Sequence, residues 1–143
     1  MAIAEEQLTG TKKSLVDAAA TLIAERGFDA VTVREITGKA DTNIASVKYH
    51  FGSKEELIDA VVANFVSPVN LGRLARIDKL EEAGDFCAED LLRAFLEPML
   101  SQIKGSPLSE KLFCQLMGRV IGERPYEFPE QVMGQFREVA ARY

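Results

Sequence analysis

His50 is the only histidine of the chain, and it lies in "SVKYHFGSKEEL", residues 46–57. Ser46, Lys48, Tyr49, His50 and Lys54 crowd together there. Between Ile44 and Lys54 stand two lysines and no carboxylate. Two readings of this cluster are open. It is either the edge of a core followed by an ordinary helix cap, or a surface that grips a phosphate backbone with hydroxyl donors and ammonium charges. Catalysis fits poorly. A histidine-based triad would have to use His50, and no Ser or Cys stands near it in a nucleophile motif. Cys87 and Cys114 do not form a CxxC pair, and one histidine with two scattered cysteines supplies no zinc set. No catalytic residue, metal or cofactor is expected, and the chain reads as something other than an enzyme.

Charge narrows the choice. The 143 residues are 47% hydrophobic and 27% charged, with a net charge of −5. Residues 1–66 carry 7 basic and 10 acidic side chains. Bulk charge therefore does not draw the chain to a polyanion, and any such binding must come from a local patch. Lys12, Lys13 and Arg34 can add to the one around His50. Apolar runs such as "AVVANFV" (60–66) are too short to span a bilayer, and the acidic "MAIAEEQLTG" start lacks a signal pattern. A cytoplasmic protein without a membrane partner is expected. Both cysteines fall in apolar helical patterns and are expected to be small buried hydrophobes.

The elements that must position the cluster are all helical. In "TKKSLVDAAATLIAER" (11–26), Leu15, Ala18, Ala19, Leu22 and Ile23 share a face. Thr11 is the expected N-cap, and Gly27 suits the left-handed stop that folds Phe28 back on Ile23. Thr32 with Glu35 forms a capping box, and Val31 with Ile36 a hydrophobic staple, opening a two-turn helix that ends near Ala40. "DTN" (41–43) is a tight turn. Asn43 caps a third short helix through Phe51, Gly52 breaks it, and Ser53 with Glu56 opens a longer one. Ser67-Pro68 is expected to end that helix and to mark the boundary between domains 1–66 and 67–143. Beyond it come "NLGRLARIDKLEEAG", then "AEDLLRAFLEPMLSQI" with a bend or break at Pro98, a helix opened by Ser106-Pro107, and a last one from Pro129.

Two short helices joined by a three-residue turn, with a helix before and after, make a helix-turn-helix. The second short helix can then enter a major groove while the first lies across the backbone. Val47 and Phe51 point inward. Ile44, Ala45, Lys48 and Tyr49 fall on other faces, with Ser46 and His50 near the edges. Ala45 allows close approach to bases, Ser46 and Tyr49 can hydrogen-bond phosphate, and Lys48 and Lys54 can neutralise it. The helix opening at Ser53 presents free N–H groups to a phosphate as well. Plainer roles stand beside these. His50 is equally well a packing residue, Lys48 and Lys54 a solvated face, and Arg34 a partner for an acid on its own helix. The stripe Phe95, Met99, Phe113 and Met117 is either core or the lining of an apolar pocket.

"TVREITGKADTNIASVKYHFGSKEELIDAVV", together with "AERGFDAVT", resembles the DNA-binding domain of the TetR family of bacterial one-component regulators over roughly residues 11–66. The resemblance implies an all-α protein: a three-helix helix-turn-helix domain followed by a C-terminal helical domain for ligand binding and dimerisation. By position it implies DNA contacts at Lys12, Thr32, Arg34, Ile44, Ala45, Ser46, Lys48, Tyr49, His50 and Lys54. It implies three partners: a double-stranded DNA operator, a small apolar effector, and a second copy of the chain. Asp41 stands where the family usually has a turn glycine, and Lys48 where it often has an aromatic residue. Family members usually carry more helices after residue 67, so the regulatory domain is expected to be incomplete. The expected function is a ligand-responsive repressor acting as a dimer on a pseudo-palindromic operator. The alternative is a helical protein-interaction module.

Overall fold

The computed structural model describes residues 8, 10–123 and 128–143. They form seven helices: α1 (Gly10–Arg26), α2 (Val33–Lys39), α3 (Ile44–His50), α4 (Lys54–Ala83), α5 (Ala88–Gly105), α6 (Glu110–Gly122) and α7 (Glu130–Arg142). Among the described residues there is no strand, as the sequence pattern predicts.

α1 presents Leu15, Val16, Ala19, Leu22 and Ile23 to the core and packs against α2, α3, α4 and α6. It begins one residue before the expected cap, so Thr11 lies inside it. Gly27 closes it with φ +88°, and its N–H donates to the Ile23 carbonyl at 2.7 Å. Phe28 then folds back into the core, 3% exposed. Both capping features of α2 are present. The Glu35 N–H donates to Thr32 Oγ1, and the Thr32 N–H donates to Glu35 Oε2 at 2.9 Å. Val31 and Ile36 are buried beside them. The turn into α3 needs a left-handed residue, and Asp41 adopts φ +53° there. Asp tolerates that region better than most side chains. Asn43 caps α3, its Oδ1 accepting the Ser46 N–H at 3.0 Å.

Three further expectations about helix ends are overturned in whole or in part. α4 does not stop at Ser67-Pro68 but runs 30 residues, through Pro68. It packs on α1 and α3 as well as on α5 and α7, and these contacts keep it helical where local preference alone would end it. α5 likewise runs through Pro98, so the break, one of the two outcomes expected there, does not occur. That ring is buried against Gly72 of α4, where a Cβ would lie 2.9 Å from the proline Cβ. α6 opens at Ser109, whose side chain accepts the Leu112 N–H, and not at Ser106-Pro107. Ser106 instead accepts the Leu108 N–H in the preceding turn. Pro129 does open α7.

The cysteines also differ from expectation: both are exposed. Cys87 is the N-cap residue of α5, its N–H donating to Asp90 Oδ2 at 3.0 Å and its thiol facing the same oxygen at 3.2 Å. Cys114 sits one position beyond the buried Phe113, which turns it about 100° around α6 toward solvent.

Candidate nucleic-acid interface

α3 is fixed from beneath and open from above. Val47 is buried and Phe51 packs on the core, so the helix is anchored on one side. On the other side Ile44 is 58% and Tyr49 85% exposed, a costly display for large apolar groups unless something covers them. Ala45 and Lys48 are exposed between them. Among the described residues no ion pair joins Arg34, Lys48 or Lys54 to a carboxylate. The Arg34 pairing considered above is therefore not formed. The acid of α2, Glu35, is taken by Arg26 at 2.7 Å.

The other expected residues flank this face in different states. Arg34 and Thr32 lie at the start of α2, and Lys54 occupies the first position of α4. The Thr32 hydroxyl is already engaged, donating to Glu35 Oε2 at 2.8 Å. Ser46 is engaged too: its Oγ is 2.6 Å from Thr42 Oγ1 and donates to Asn43 Oδ1 at 3.2 Å. Both serve the cap first. His50 is half-buried, with the Tyr49 ring edge-on to it at 4.9 Å between centroids. Lys12 is half-buried in the first turn of α1 and takes part in an interaction of its own. The free chemistry of the interface is therefore Ile44, Ala45, Lys48, Tyr49, Arg34 and Lys54. The Ser53 hydroxyl accepts the Glu56 N–H at 3.1 Å, which leaves the earlier N–H groups of α4 beside Lys54 as anion donors.

The four residues expected to line a pocket do not form one group. Met99, Phe113 and Met117 join the main core, with Phe113 fully buried and edge-on to Phe65. Phe95 stands apart, under the Arg73 guanidinium at 3.8 Å and beside Tyr143 at 5.2 Å. Sequence reasoning missed this second polar and aromatic node. Arg73 Nε donates to the Phe95 carbonyl at 2.9 Å, and Tyr143 Oη donates to the Arg73 carbonyl at 2.8 Å. Burial holds the Arg73 guanidinium below its ordinary pKa, and burial raises the Tyr143 phenol. Asn70 on α4 and Gln135 on α7 are buried, and the Asn70 amide nitrogen and the Gln135 carbonyl oxygen lack partners among the described residues. A lone Asn in a helical run gives no sequence signal for this. Among the described residues no group of His, Cys, Asp and Glu is arranged to hold a metal. No described helix is long and apolar enough to cross a membrane.

A short reading helix held by α1, α2 and α4 defines a helix-turn-helix DNA-binding domain. Residues 15–61 match the family of bacterial regulatory proteins described as the tetR family. It is similar to the HTH-type transcriptional repressor KstR2 of Rhodococcus jostii, 27% identical over 131 residues, 92% of this chain and 62% of that protein. KstR2 of Mycobacterium tuberculosis is 38% identical over 60 residues, 42% of this chain and 30% of that protein. The probable HTH-type regulator YttP of Bacillus subtilis is 36% identical over 55 residues, 38% of this chain and 27% of that one. The chain thus spans less than two thirds of the length of these relatives.

Proposed function

We propose that the chain is a cytoplasmic transcriptional repressor, not an enzyme. It reads duplex DNA as a homodimer and responds to a small apolar effector. Residues 1–66 serve as the reading domain and residues 67–143 as the regulatory one. The observation that carries this reading is the outer face of α3. Ile44 and Tyr49 are exposed, Ala45 is small, and Lys48 is cationic with no carboxylate of its own to satisfy it. Two such helices related by a two-fold axis read successive major grooves about 34–36 Å apart. Lys48 reaches base edges or phosphate, Tyr49 and Arg34 reach phosphate, and Lys54 binds phosphate at the α4 N-terminus. The effector is taken up among α4–α7. The unpartnered Asn70 amide nitrogen and Gln135 carbonyl oxygen and the Arg73–Phe95 stack supply polar anchors in a mainly apolar setting.

One observation favours a second reading, a helical interaction module. Leu92, Leu96 and Leu100 recur every four residues along α5 and are 61%, 47% and 52% exposed. Selection of purified protein on random duplex DNA separates the two. The regulator enriches a pseudo-palindrome, and a Lys48→Ala, Tyr49→Ala double variant loses it. No enrichment at low salt by the folded wild type leaves the interaction module in its place.

A further inference from the structure

The far end of α6 holds the reading domain by its backbone. Glu123 caps α6, and its Oε2 accepts the Phe28 N–H at 3.1 Å across 95 residues of sequence. Arg119, one turn earlier, pairs with the same carboxylate and donates through Nη2 to the Glu25 carbonyl at 3.4 Å. The two side chains thus take one acceptor from the last turn of α1 and one donor from the α1–α2 turn. Gly27 leaves room for them. A Cβ there would lie 2.7 Å from the Glu123 carboxylate and would push it from this seat. The buried surface of α1 is rich in alanine, at Ala18, Ala19, Ala20 and Ala24. Such a smooth apolar contact resists sliding weakly, whereas hydrogen bonds to backbone groups fix a register.

The second connection is α4, and it has a weak point. Pro68 has no N–H to give the Asn64 carbonyl, so one rung of the helix ladder is missing. The missing rung falls in the helix that joins the partners α1 and α3 to the partners α5 and α7.

We infer that Glu123 is a positioning residue for DNA reading: with Arg119 it latches the α1–α2 turn to α6 and sets the angle of α3 about Pro68. The inference rests on the DNA-binding reading above and names the two side chains that fix its geometry. In a two-fold dimer that geometry selects the spacing between half-sites.

The test uses the full chain, with Glu123→Ala, Glu123→Gln and Arg119→Gln variants. Residual dipolar couplings come first, because they need no DNA. In the wild type, amides of α2–α3 and of α5–α7 fit one alignment. In Glu123→Ala they require two, and the Phe28 amide exchanges faster. The selected operator is then remade with its centre one base pair shorter and longer. The wild type prefers one spacing by about tenfold, within the usual range of coupling between sites. Glu123→Ala falls below threefold while single half-site affinity is unchanged, and Glu123→Gln, which keeps an acceptor for Phe28, lies between. Arg119→Gln gives the same direction should Glu123→Ala not fold. A single alignment retained by the variants, or an unchanged spacing preference alongside a lower melting temperature, overturns the latch and leaves Glu123 a helix cap. Failure of the wild type to bind DNA refutes the DNA reading, while the alignment data still decide the latch.

Discussion

Lys54→Ala separates DNA binding from folding in a single substitution. Lys54 is the first residue of α4, where the helix dipole and the free N–H groups already make the local potential positive. A cation there is unfavourable to the isolated fold by about 0.3–1 kcal/mol; Glu55 and Glu56 share the first turn, but among the described residues neither forms an ion pair with Lys54. Its removal leaves the protein as stable as before or slightly more so. On DNA the sign reverses. Each dimer loses two phosphate contacts, and the slope of log K against log[salt] falls in magnitude by about 1.8, from about 0.9 per contact. Between 50 and 200 mM salt, a fourfold change, the wild type then loses about 12-fold more affinity than the variant. Fluorescence anisotropy on the selected operator at four salt concentrations measures the slope, and chemical denaturation measures stability. An unchanged slope with weaker binding at every salt would place Lys54 away from phosphate and refute the electrostatic role. A clear loss of stability would refute the reasoning about the dipole.

Three further outcomes are expected. Gly27→Ala costs about 1–2 kcal/mol from left-handed strain alone, and more because the new Cβ displaces Glu123; urea denaturation measures it. Phe113→Ala removes a fully buried ring from the shared core and costs about 3–5 kcal/mol, read by the same assay. The Glu35 carboxyl is held down to about 2 by Arg26, the Thr32 N–H and the Thr32 hydroxyl, against an ordinary value of 4.5. A lowered folded value means that its contribution is fully present above pH 4.5 and is lost as pH falls toward about 2. Carbon-detected titration of Glu35 reports the value directly, and Glu35→Gln flattens the acid limb of the stability curve.

The reading domain was legible almost residue by residue because its signals are local. A capping box at Thr32 and Glu35, an Asn at 43 and a glycine at 27 each act on the neighbouring three or four residues, and the structure uses each of them. Pro68 and Pro98 misled for the opposite reason. Their local preference is to end a helix, and partners distant in sequence overrule it, Gly72 in the case of Pro98. Cys87 and Cys114 misled because an apolar pattern gives the width of a buried face and not its edge. Serine caps were ambiguous between 106 and 109, and only the turn that Ser106 makes with Leu108 decides. Ser46 was half-legible: its hydroxyl was visible as a candidate phosphate ligand, but its prior engagement with Thr42 and Asn43 was not. Glu123 was beyond reach, since no local rule links a residue to one 95 positions away.

The length of α4 gives small movements a large reach. From Pro68 back to Lys54 is 14 residues, or about 21 Å of helix at 1.5 Å per residue. A bend of about 10° at the proline swings the far end by about 3.7 Å, close to the 3.4 Å that one nucleotide advances along DNA. A protein that reads sequence is thus one modest flexure away from reading it one step out of frame.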